Sequence, residues 1–139
     1  MTVFVVDTSV AVKWFVPEIH TERASSILAP TNRLHAPDLL PAEFGNTLWK
    51  KFRRDELDRA EVQTVASALP VVPINFHSSI GLLRGALDIA FETSRTVYDS
   101  LYVCLAIALD CQFVTADEKL CNALQSTELS ARVLHVGDV

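Results

Sequence analysis

The sequence predicts an α/β fold: a mainly parallel sheet with helices on both faces, forming one domain. Three observations carry that prediction. Short apolar runs of strand length alternate along the chain with stretches of helical periodicity, the order that produces parallel strands joined by helices. The first run, Val3-Phe4-Val5-Val6, is apolar at every position rather than at alternate ones, as in a strand covered on both faces. Two runs also end in acid, since Asp7 follows the first and Asp117 follows Gln112-Phe113-Val114-Thr115-Ala116. In such folds ligands bind beyond the carboxyl ends of the strands, where the chain order reverses.

The elements follow in order. Residues 2–7 form the first strand. A short helix starts at about Ser9, whose hydroxyl can cap its first turn. Pro17-Glu18 restarts the chain into a second helical stretch to about Leu28, and Pro30, Thr31 and Asn32 break it. Leu34-His35-Ala36 is a short strand. The helix that follows begins between Pro37 and Pro41 and carries Leu40, Phe44, Leu48 and Phe52 at helical spacing. Asp38 is placed to cap it. Asp58 to Leu69 is a further amphipathic helix. Pro70-Val71-Val72-Pro73-Ile74 reads as an edge strand, because its prolines cannot donate to a ladder. His77 to Glu92 is helical, with Gly81 and Gly85 weakening it while permitting close packing. Tyr98 to Leu109 is an apolar helix opened by Asp99. Phe113-Val114-Thr115 is a strand, Asp117 to Leu124 a helix, and Arg132 to Val136 a last strand.

Composition sets limits. A chain of 139 residues is one domain long. With 50% hydrophobic and 21% charged residues it is globular rather than disordered. A net charge of −5 argues against a bulk electrostatic mode of binding nucleic acid, though not against a local basic patch. Cys104, Cys111 and Cys121 show no metal-ligand spacing and are expected as reduced thiols, Cys104 buried on its helix. No apolar run approaches the roughly 18 residues of a membrane span, and the chain starts directly in a strand, so cytoplasmic residence is expected.

Taken singly, the acids have ordinary explanations. An Asp after a strand is commonly a turn or cap residue, Asp99 is a favourable helix N-terminal charge, and Glu43 is a solvated helix position. Asp7 has the strongest case of the four, because Thr8 and Ser9 follow at once and their hydroxyls can hold a carboxylate in place. Asn46 and Thr47 lie on the same helix face as Glu43. Were the four to meet, their mutual repulsion would require a cation. The histidines, His20, His35, His77 and His135, have no motif context. Lys50, Lys51, Arg53 and Arg54 form a compact basic run, read either as a patch that tracks phosphates or as a plain helix C-terminus. Lys13 and Arg95 are further candidates for RNA backbone contacts. Trp14, Phe15 and Trp49 are expected in the core or an interface.

The segments Val5-Val6-Asp7-Thr8-Ser9, Pro41-Ala42-Glu43-Phe44-Gly45-Asn46-Thr47-Leu48, Tyr98-Asp99-Ser100-Leu101-Tyr102-Val103-Cys104-Leu105-Ala106 and Thr115-Ala116-Asp117-Glu118-Lys119-Leu120 resemble the four acidic motifs of PIN-domain nucleases in order and spacing. The likeness runs over essentially the whole chain, and its size resembles the VapC-type toxins of toxin–antitoxin pairs. It implies a single α/β/α sandwich with a four- to five-stranded sheet. It also implies that Asp7, Glu43, Asp99 and Asp117 hold Mg²⁺ or Mn²⁺ and hydrolyse RNA to a 5′-phosphate and a 3′-hydroxyl. Ser9 and Thr115 match supporting hydroxyl positions, and Asn46 matches a polar position near the site more loosely. The resemblance further implies a homodimer and a VapB-type antitoxin that covers the site.

Two rivals stand beside it. An aspartyl-phosphate phosphatase also begins with a strand ending in Asp but wants a second Asp two residues on, where this chain has Ser9. An RNA-binding module of the same fold without nuclease activity would have no use for four retained acids.

Overall fold

The computed structural model describes residues 1–139. Its five strands are β1 (Val3–Val6), β2 (Arg33–Pro37), β3 (Ile74–His77), β4 (Gln112–Thr115) and β5 (Val133–His135). They form one all-parallel sheet in the order β3-β2-β1-β4-β5. Val5 pairs with His35 on one side and Phe113 on the other, so β1 is central. Val5 and Val6 point to opposite faces and both are fully buried, as are Phe113 and Val114. Successive buried residues mean that the middle of the sheet is covered on both sides.

Seven helices supply the covering: α1 (Thr8–Lys13), α2 (Thr21–Ser26), α3 (Leu40–Arg53), α4 (Arg59–Ala68), α5 (Ser79–Thr93), α6 (Val97–Ala108) and α7 (Glu118–Leu124). Leu40, Phe44 and Leu48 form the buried stripe of α3, and Phe15 meets Phe44 edge-on. Trp14 packs against the core and donates its indole N–H to the Ala24 carbonyl at 2.8 Å. Trp49 is exposed instead. α6 lies across β1, β2 and β4 and pairs with α5.

Several sequence expectations shift. The edge strand lies at Ile74–His77 rather than Pro70–Ile74, and Leu69–Val71 makes a 3₁₀ turn. Pro70 fits the start of such a turn, where its missing N–H is no loss. His77 therefore ends a strand, and α5 begins at Ser79. The side chain of Asp38 serves α5, not α3: its Oδ1 accepts from the Ser79 backbone N–H at 3.2 Å. Thr96, not Asp99, caps α6, accepting from the Asp99 N–H at 3.1 Å. Cys104 is half-buried, donating weakly to the Leu82 carbonyl, and all three thiols are free. The four histidines are not scattered: His35 and His77 meet at 2.9 Å, and His20 meets His135 edge-on.

Of the two α5 glycines, only Gly85 is a close approach. A Cβ there would lie 2.7 Å from Cys104 Sγ, whereas one at Gly81 meets nothing within 4 Å. Gly81→Ala should therefore stabilise the fold by about 0.5–1 kcal/mol. Gly85→Ala should destabilise it by about 1–3 kcal/mol through overpacking. Urea denaturation of both variants checks the opposite signs.

Candidate active site

The chain runs outward from β1 through β2 to β3, then returns to place β4 on the other flank of β1. The order therefore reverses between β1 and β4, and the carboxyl ends of these two strands carry the first and last acids. Asp7 sits in extended backbone directly after β1, and its N–H continues the ladder to the Val114 carbonyl at 3.1 Å. Its Oδ2 accepts from Ser9 Oγ at 2.8 Å and from Thr115 Oγ1 at 2.7 Å. Ser9 Oγ in turn accepts from the Ala116 N–H at 3.0 Å, and Thr115 Oγ1 from the Asp117 N–H at 3.1 Å. Ser9 is thus no helix cap. Together with Thr115 it ties the first acid to the end of β4.

Glu43 comes from the first turn of α3. Its Oε1 accepts from Tyr102 Oη at 2.6 Å and Thr8 Oγ1 at 3.3 Å. Tyr102 is fixed by stacking on Phe113, ring centroids 5.2 Å apart. It had no assigned role from sequence. The available signal was its place three residues after Asp99, on the same face of one helix. Thr47 also belongs to the cleft wall. Asn46 is exposed and is not part of it. The cleft face of α3 runs 43, 47, 50/51, 54, and a side chain one position off that line turns away.

Asp99 on α6 accepts from Arg95 Nη2 at 3.1 Å, and the same nitrogen is 3.8 Å from Asp117 Oδ2. Arg95 is therefore turned onto the acids rather than presented as a separate backbone contact. Its Nε is buried without a partner. Asp117 divides its work, since Oδ1 caps α7 by accepting from the Leu120 N–H at 3.1 Å.

All four acids line one cleft of about 450 Å³, together with Lys13, Lys50, Lys51 and Arg54. Arg53 is outside it, with its guanidinium 5.4 Å from the centre of the Trp49 ring. The acids share the cleft without forming a closed cage, for no three acidic, His or Cys side chains are drawn onto one point. Each carboxylate is held by its own neighbours. Burial raises the Asp7 pKa to about 6 against the Thr115 and Ser9 hydrogen bonds, and Glu43 and Asp99 add repulsion. Burial also raises Glu43, opposed by Tyr102 and Thr8, with Asp99 adding to the rise. Tyr102 is held firmly protonated by burial and by the negative charges of Asp7 and Glu43.

The PIN domain family matches residues 4–123, a span that includes all four acids of the cleft. Ribonuclease VapC3 of Pyrobaculum aerophilum is 33% identical over 118 residues, covering 84% of this chain and 90% of that protein. Among solved structures, PAE2754 of Pyrobaculum aerophilum aligns with a TM-score of 0.63 and 24% identity, over 98% of this chain and 85% of that one. VapBC2 from Rickettsia felis, bound to a DNA fragment from their promoter, aligns with a TM-score of 0.63 and 12% identity, over 96% and 98% of the two chains. These structural matches establish the shared fold. The chain belongs to the PIN domain family and, within it, to the VapC ribonucleases.

Proposed function

We propose that this chain is a divalent-metal-dependent endoribonuclease, the toxin of a toxin–antitoxin pair, with residues 1–139 acting as one PIN domain. The observation that carries the reading is the placing of Asp7, Glu43, Asp99 and Asp117 around one cleft at the sheet's switch point, with the Asp7 carboxyl raised to about 6. A buried carboxylate beside other carboxylates is unfavourable until a cation joins it.

The donor set is all hard oxygen, which fits Mg²⁺ or Mn²⁺ better than a softer metal. The four acids would hold the ion, which lowers the pKa of bound water and offsets charge at the scissile phosphate. Ser9 and Thr115 hold Asp7 in one rotamer, and Tyr102 and Thr8 do the same for Glu43. Such outer partners typically contribute 10–100-fold to metal affinity or activity. Lys13, Lys50, Lys51 and Arg54 supply positive charge to the same cleft beside the acids, where the RNA backbone would lie. A module that merely gripped RNA would gain nothing from the acidic half.

A VapB-type antitoxin is the expected inhibitor, and a homodimer is the expected assembly. The expected location is the cytoplasm, where such a partner and RNA are found. No helix is long and apolar enough to cross a membrane.

The test is direct. Purified protein with Mg²⁺ or Mn²⁺ should cut RNA and leave 5′-phosphate ends, and a chelator should stop it. Asp99→Asn should lose cutting while keeping its circular dichroism spectrum. Full cutting by a folded Asp99→Asn protein would remove the proposed site.

A further inference from the structure

The basic half of the cleft is more than a scatter of surface cations. Lys13 at the end of α1 and Lys51 near the end of α3 are buried, their side chains only 7% and 11% exposed. Between them lies one carboxylate. Glu18 Oε2 is 3.0 Å from Lys51 Nζ and Oε1 is 3.8 Å from Lys13 Nζ. All three line the acid-bearing cleft, with Lys50 and Arg54 beside them. Helix C-termini favour cations, which explains why lysines stand there. It does not explain why two are sunk into a cleft wall around a shared anion.

We infer that Lys13 and Lys51 form a seat for a backbone phosphate of single-stranded RNA, one that flanks the scissile phosphate, and that Glu18 occupies this seat in the free protein. The inference rests on the ribonuclease reading and adds to it a residue that no motif marks. A carboxylate and a phosphate oxygen pair make the same demand on two ammonium groups: negative charge and hydrogen-bond acceptors within about 3 Å. Glu18 meets that demand at Lys51, 3.0 Å away, and is an ion-pair neighbour of Lys13 at 3.8 Å, so it shows the charge the seat takes. It stands on the connection between α1 and α2, outside any regular element, with its side chain 30% exposed, so it can withdraw without unfolding a helix. Along α3 the seat lies eight residues from Glu43, roughly 12 Å of helix axis. That separation places it beside the acids rather than among them.

Glu56 provides the control. It lies 3.9 Å from Lys51 but is 48% exposed and is not part of the cleft wall. Its removal changes the local field by one charge without emptying the seat.

The experiment measures binding of a short fluorescent single-stranded oligoribonucleotide across a NaCl series, in an Asp7→Asn background so that RNA is not consumed. Glu18→Gln should tighten binding several-fold because the seat no longer has to be vacated, while the slope of log K against log[NaCl], about 0.7 for each phosphate contact, stays the same because both proteins make that contact. Lys51→Gln should weaken binding and flatten the plot by the increment of one contact, even should Glu18→Gln fold poorly. Glu56→Gln should leave the slope unchanged. A role in folding alone predicts weaker or unaltered binding for Glu18→Gln, and that result overturns the seat. Equal tightening by Glu56→Gln also overturns it, as does an unchanged slope in folded Lys51→Gln. Failure of the parent protein to cut RNA is separate, and removes the ribonuclease reading on which the seat depends.

Discussion

Asp7→Asn should abolish RNA cleavage and, at neutral pH, make the metal-free protein more stable than its parent. The two effects share one cause. Asn keeps an oxygen that can accept from Ser9 and Thr115, so the local hydrogen bonds survive, but it carries no charge into the buried rim of the sheet. The folded-state pKa of Asp7 is raised from 3.8 to about 6. Folding therefore favours the protonated form, and ionisation opposes it. The stability associated with the protonated carboxyl is fully present below pH 3.8, falls as pH rises toward about 6, and is gone above that. A shift of about two units at 1.36 kcal/mol each corresponds to about 3 kcal/mol at pH 7.5, an upper figure because the group keeps some solvent contact. Urea denaturation in a chelator checks this. Parent and variant should coincide near pH 4 and separate with the variant more stable above pH 6. Cleavage should fall by more than about 100-fold, beyond the loss typical of an outer partner. A parent protein as stable as Asp7→Asn at pH 7.5 would mean that the carboxylate is not strained there, and the need for a cation would disappear.

That strain also shows what a sequence can and cannot disclose. The alternation of strand and helix gave the parallel sheet, and the acids at the ends of two strands pointed to its switch point, because both signals are local in the chain. The Ser9 contact with Asp7 was legible for the same reason, two residues away, whereas Thr115 was marked only by the family resemblance, because its bond to Asp7 spans 108 residues. Tyr102 was not legible, since its bond to Glu43 spans 59 residues and depends on how α3 packs against α6. Arg95 illustrates the opposite error. Named as a candidate for RNA backbone contact, it is paired with Asp99 four residues on, from a position in the connection just before α6. Asn46 was placed by its i+3 spacing from Glu43 and by the family likeness, and Arg53 by its basic neighbours, and each lies one position off the cleft face of α3. The edge strand slipped by four residues because two prolines obscured where the ladder could start. The histidine pairs join strands or termini far apart in the chain and leave no periodic trace.

Addition of Mg²⁺ or Mn²⁺ should raise the melting temperature of the parent protein and leave that of Asp7→Asn nearly unmoved. An ion that binds only the folded state stabilises it by RT ln(1 + [L]/Kd), about 2.7 kcal/mol at a hundredfold excess over Kd. The gain should grow as pH rises from 5 to 7, because the ion requires ionised ligands and must displace the proton that Asp7 otherwise keeps. This is opposite in sign to the metal-free trend, in which the same rise in pH reduces stability. The two titrations together therefore isolate one carboxyl, since a general surface effect of divalent ions would appear in Asp7→Asn as well. Arg95 sets the size of the effect. It already neutralises part of the charge on Asp99 and Asp117, and its unpartnered Nε is a cost of holding that position. The ion therefore gains most from Asp7 and Glu43, the two acids that no cation yet accompanies. No shift at millimolar metal in the parent protein would show that hydroxyls and Arg95 suffice to hold this cleft together, leaving no energetic role for a metal.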